Sequence, residues 1–124
     1  MVTSGEDTNW AVVFDAEPAV CALLSLLLER EGFSVLRARS LNEAVAKCRD
    51  QTLQVHALVC DADEVTANTW LSPLVHNELP DLRVVVLSAG ANPSSLRKYD
   101  GYCMVPKPFV CEQLMSAVRG SAKR

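Results

Sequence analysis

Val55-His56-Ala57-Leu58-Val59-Cys60-Asp61-Ala62-Asp63 decides how the rest of this chain is read. Ala57 to Cys60 are uncharged and mostly apolar, and they run directly into the carboxylate of Asp61. A short continuous apolar run of this kind reads as a strand buried on both faces. A carboxylate at the C-terminal end of such a strand stands in the crevice where open parallel sheets bind their ligands.

Working outward, similar runs recur. Ala11-Val12-Val13-Phe14 predicts a first strand ending on Asp15, and Arg83-Val84-Val85-Val86-Leu87 predicts a fourth ending on Ser88. Ser34 to Ala38 predicts a second strand, and Tyr102 to Val105 a fifth that ends in Pro106-Lys107-Pro108. Helical stripes lie between them. Val20, Leu23, Leu24, Leu27 and Leu28 recur at helical spacing behind Pro18, which suits a first turn, and Gly32 closes that helix. Ser40-Leu41-Asn42-Glu43 fits a capping box ahead of a stripe of Leu41, Ala44, Val45 and Cys48. After Asp61 the sequence predicts a polar loop, then a helix from about Thr69 to Leu79 with Pro73 in its first turn. Ala89 to Pro93 reads as loop, and Ser94 to Tyr99 as a short helix at most. A last helix runs from about Val110 to Arg119, with Val110, Leu114, Ala117 and Val118 on its buried face.

Strand and helix alternate five times, which predicts a parallel sheet with helices on both faces. The expected architecture is an α/β three-layer sandwich of the flavodoxin-like (βα)5 type, strand order 2-1-3-4-5. At 124 residues the chain is one domain. Residues 1–9 read as a flexible lead-in, 10–119 as the domain, and 120–124 as a tail or the start of a linker.

Composition narrows the function. A net charge of -3 argues against an electrostatic nucleic-acid binder. No segment approaches the roughly 20 apolar residues a membrane helix needs, and the polar, acidic start has the wrong character for a signal peptide. Five cysteines form no C-x-x-C, so they read as reduced thiols in a cytoplasmic protein, and His56 and His76 are too far from them to suggest zinc.

In this architecture the C-terminal strand ends share one edge, so Asp15, Asp61, Ser88 and Lys107 are expected in one crevice. Two oxygen-ligand carboxylates suit a hard cation such as Mg²⁺, which keeps several waters of its own. The cation would let Asp61 approach a phosphoryl group without repulsion, and Lys107 and Ser88 could hold the oxygens that gain charge in transfer.

With these residues in this order, the chain resembles the receiver domains of two-component response regulators over about residues 10–119. The features that carry the likeness are Val12-Val13-Phe14-Asp15-Ala16-Glu17-Pro18, the strand ending at Asp61, Val86-Leu87-Ser88-Ala89, and Lys107-Pro108-Phe109. The resemblance implies that Asp61 accepts a phosphoryl group from a sensor histidine kinase or phosphotransfer protein in the cytoplasm. It implies Mg²⁺ held by Asp15, Asp61 and the main-chain carbonyl of Asp63. It also implies that Ser88 swings to the phosphoryl group, that Lys107 pairs with it, and that the Lys107–Pro108 peptide is cis. Such a domain is a signalling module rather than an enzyme, working through an output domain, a partner protein or a homodimer, with no direct contact to nucleic acid or membrane.

Two departures stand out. The family's second acid after strand one is Ala16 here, which weakens cation binding, and its switch aromatic is Met104, with Tyr102 on the same strand face. They motivate a second expectation, a degenerate receiver that acts as a phosphorylation-independent interaction module. A cofactor-binding enzyme on the same sheet fares poorly, because no strand-to-helix loop is glycine-rich enough to cradle a nucleotide or flavin phosphate.

Overall fold

A computed structural model of the chain describes residues 9–88, 102–107 and 109–119. The expectations for 1–8, 89–99, the Lys107–Pro108 peptide and 120–124 lie outside those residues.

The elements in chain order are β1 (Asn9–Phe14), α1 (Pro18–Arg30), β2 (Phe33–Arg37), α2 (Leu41–Cys48), β3 (Val55–Asp61), α3 (Ala62–Ala67), α4 (Leu71–Glu78), β4 (Arg83–Ser88), β5 (Tyr102–Pro106) and α5 (Cys111–Arg119). The five strands form one sheet in the order β2-β1-β3-β4-β5, and every pairing is parallel. The central three strands are the most apolar, as strands covered on both faces must be.

Side-chain alternation divides the core into two layers. Val12, Phe14, Leu58, Cys60, Val84 and Val86 face α2, α3 and α4. Ala11, Val13, Ala57, Val59, Val85 and Leu87 face α1 and α5. Tyr102 and Met104 pack toward the first layer and Cys103 and Val105 toward the second, so the expected shared face of Tyr102 and Met104 holds. Each fully buried leucine, Leu24 and Leu28 of α1 among them, contributes about 2 kcal/mol.

Local signals end the helices largely where expected. Gly32 follows α1 with φ 96°, a left-handed conformation that glycine adopts without a Cβ penalty. Ser40 caps α2 by accepting the Glu43 N–H at 3.1 Å, while the Glu43 carboxylate reaches back to the N–H of Arg39 at 2.6 Å. That is the predicted capping box displaced by one residue on its return bond.

Four expectations change. Leu23 was expected on the buried stripe of α1 but is 47% exposed, because the stripe that faces the sheet is Cys21, Leu24, Ser25 and Leu28. Val110 precedes α5 and is exposed; its carbonyl instead accepts the Leu114 N–H. β1 begins at Asn9, two residues ahead of the expected start at Ala11. The polar loop expected after Asp61 is wound into α3, which buries Val65.

Candidate functional site

Parallel strands all finish at one edge, and here that edge gathers side chains from positions 15, 61, 88 and 107. Asp61 is the last residue of β3 and Ser88 the last of β4. Asp15 directly follows β1, and Lys107 directly follows β5. The Lys107 N–H donates to the Ser88 carbonyl at 2.8 Å, so the end of β4 fixes the backbone from which the lysine reaches.

The ammonium of Lys107 bridges the two carboxylates. Its Nζ donates to Asp61 Oδ1 at 2.8 Å and to Asp15 Oδ2 at 3.0 Å. The side chains of Asp61 and Lys107 each retain 17% exposure, whereas that of Asp15 retains 3%. Asp15 is therefore the sealed partner, and Asp61 is the carboxylate that solvent and a reactant can reach. Burial alone would lower the lysine pKa, but the hydrogen bonds to Asp61 and Asp15 and their negative charges outweigh it, and the pKa lies above the ordinary 10.5.

The other oxygen of each carboxylate is held by backbone. Asp15 Oδ1 accepts the Glu17 N–H at 2.9 Å, and Asp61 Oδ2 accepts the Asp63 N–H at 2.9 Å. The second bond makes Asp61 the N-cap of α3, and both fix the side-chain torsions by local Asx geometry. Asp63 itself is exposed and lies in the first turn of α3, where the helix ladder directs an N–H at its carbonyl. One of that carbonyl's two lone pairs is thus committed. Ala16 and Glu17 are exposed.

Two buried cysteines of the core, Cys48 and Cys60, are held as thiols. Burial pushes the Cys48 thiol up to about 12, and burial followed by the charge of Asp61 raises that of Cys60. The Cys21 thiol donates to the Asp15 carbonyl at 3.3 Å.

The donor set suits a hard cation. Two carboxylate oxygens converge on one point now taken by an ammonium, and one or two carboxylates with water are the usual ligands of Mg²⁺. Among the described residues no group of three His, Cys, Asp or Glu side chains converges as a metal cluster, in line with an alanine at position 16. The lysine stands by both aspartates, as the shared rim led us to expect; reading the sequence missed the capping of α3 by Asp61, although Asp followed by Ala-Asp-Glu is a good helix start.

No family model and no curated protein sequence matches the chain. Solved structures do match. A response regulator receiver domain protein from Clostridium thermocellum has a TM-score of 0.76 at 20% identity, over 90% of this chain and 92% of that one. A response regulator from Thermotoga maritima has a TM-score of 0.75 at 25% identity, over 91% and 96%. A response regulator protein from Burkholderia pseudomallei, with a phosphorylated aspartic acid, calcium ion and citrate, has a TM-score of 0.72 at 23% identity, over 90% of this chain and 66% of that one. The fold is that of response regulator receiver domains.

Proposed function

We propose that residues 10–119 form a phospho-accepting receiver domain in which Asp61 takes a phosphoryl group from the phosphohistidine of a sensor kinase or phosphotransfer protein. The observation that carries this reading is the ion-paired trio: a part-exposed carboxylate, a sealed carboxylate and one ammonium bridging both. A carboxylate oxygen of Asp61 forms the new bond to phosphorus as the phosphorus–nitrogen bond breaks, and the departing imidazole takes up a proton. The Asp63 N–H holds Asp61 in one orientation, which removes rotational freedom that would otherwise be lost at the barrier. Lys107 supplies positive charge where the phosphoryl oxygens gain negative charge, and the Ser88 hydroxyl stands at the adjacent strand end to donate to one of them.

Mg²⁺, held by Asp15, Asp61 and Asp63, would offset repulsion between the carboxylates and the incoming phosphate. With Ala16 in place of an acid, affinity for the cation is low. The domain carries out only its own phosphorylation and dephosphorylation, and signals in the cytoplasm through an output domain, a protein partner or a second copy. Among the described residues no helix is long and apolar enough to cross a membrane.

Acetyl phosphate with Mg²⁺ tests the reading. The intact chain gains the mass of one phosphoryl group, and Asp61→Asn gains none. An unmodified wild-type chain at millimolar Mg²⁺ would leave the interaction-module reading in its place. Ala16→Asp tightens Mg²⁺ binding by about tenfold, equivalent to roughly 1.4 kcal/mol, measurable by quenching of tryptophan fluorescence.

A further inference from the structure

The side of the sheet beside α1 carries a surface that phosphoryl transfer does not use. β2 is an edge strand: β1 pairs with one side of it, and among the described residues no strand lies on the other. The Ala38 N–H bonds to the Val13 carbonyl of β1. By strand alternation Ser34 and Leu36 also turn their backbone groups to β1, and Phe33, Val35 and Arg37 turn theirs outward. Edge strands are commonly blunted by proline, lysine or a bulge. β5, the opposite edge, ends on Pro106, but Phe33-Ser34-Val35-Leu36 has none of these devices.

α1 flanks this edge with an apolar face. Ala19, Ala22, Leu23 and Leu26 are exposed at helical spacing, and no charged side chain interrupts them before Glu29. Ala22, Leu26 and Val35 line a groove between α1 and β2 that also takes in Glu29 and Arg37. α1 runs back along β2, so Glu29 lies toward Phe33. Arg37 stands at the far end, where its Nε donates to Ser25 Oγ at 3.1 Å. Neither Glu29 nor Arg37 has an ion-pair partner among the described residues. An acid and a base at opposite ends of an apolar groove are complementary to a second copy of themselves under a two-fold rotation.

We infer that β2 and α1 form a homodimer interface in which two β2 strands pair antiparallel about a two-fold axis through Val35. That register sets Val35 opposite its own copy and Phe33 opposite Arg37. Every outward backbone group of the strand then gains a partner, about six hydrogen bonds in all. The same axis brings the two Leu26 side chains together beside the paired Val35 residues, and sets Glu29 of each copy against Arg37 of the other. Because the paired strands run in opposite directions, the two acceptor rims point away from each other and stay open. The pairing does not depend on phosphorylation of Asp61, and neither reading carries the other.

Sedimentation of the full chain over a concentration series, without acetyl phosphate or Mg²⁺, tests the interface. The mass rises from 13.5 kDa toward twice that value, with a dissociation constant below about 1 mM. Leu26→Lys, Arg37→Glu and Glu29→Arg, all at exposed positions, each weaken the dimer about tenfold or more. The double variant Glu29→Arg/Arg37→Glu restores it, which separates a broken interface from a broken fold. Three results overturn the inference: a monomer at about 1 mM, unchanged affinity in any of the single variants, or no restoration by the charge swap.

Discussion

The two ends of the sheet solve the same problem with opposite charges. At the C-terminal edge, helices begin, and their unpaired N–H groups attract carboxylates: Asp61 caps α3, and Asp15 holds the N–H of Glu17 ahead of α1. At the N-terminal edge, helices end, and their unpaired carbonyls attract side-chain N–H donors: Arg83 and His56 bond to the last turn of α5. Helix polarity thus sorts acids to one rim and bases to the other. The difference lies in what is left over. At the acid rim one lysine must neutralise two carboxylates, so a second cation or an added phosphoryl group changes the balance. At the other rim each donor already has its partner: Arg83 and His56 bond to carbonyls of α5, and Arg119 pairs with the Glu31 carboxylate.

Removing the bridging lysine breaks the comparison most severely. Lys107→Met leaves Asp15 sealed beside Asp61 with no cation between them, and costs about 3 kcal/mol of stability in urea unfolding at neutral pH. A loss below about 1 kcal/mol would mean that solvent already screens the pair and that the acid rim is less closed than its geometry indicates.

The matching change at the other rim is smaller. Arg83→Met removes the charged bond to the Ala117 carbonyl and costs about 2 kcal/mol. Amide hydrogen exchange should speed up in the final turn of α5 and stay unchanged in α3. Equal acceleration in both helices would show that the two rims are not independent.

The smallest effect is a pH dependence. Because the Lys107 pKa is raised above 10.5 by folding, the stability that it contributes is fully present below 10.5 and lost as pH rises through the folded value. Wild-type stability therefore falls above pH 10.5 by more than that of Lys107→Met, whose acid rim has no ammonium to titrate. Parallel alkaline unfolding curves would remove Lys107 as the titrating group.

Much of this was legible in the chain itself. Continuous apolar runs alternating with helical stripes specify a parallel sheet, because only strands covered on both faces dispense with polar positions. Strand order and the shared rim of Asp15, Asp61, Ser88 and Lys107 follow from that topology. Less legible were the departures at the helices. Leu23 matches the apolar period of α1 as well as its neighbours do, but rotation of the helix on the sheet buries Leu24 and Leu28 and turns Leu23 outward. Ala62 to Ala67 looks like loop by polarity, yet a cap from Asp61 and burial of Val65 suffice to wind it.

Local pattern therefore determined the elements, their order and which residues stand at strand ends, since periodicity and capping act within a few residues. Only the tertiary structure decided which carboxylate is sealed, where the lysine places its charge, and that arginine and histidine from separate strands meet at the end of α5. Those contacts join residues 34 to 92 positions apart. At such separations geometry is set by packing of the whole sheet and its helices rather than by any segment's own preference.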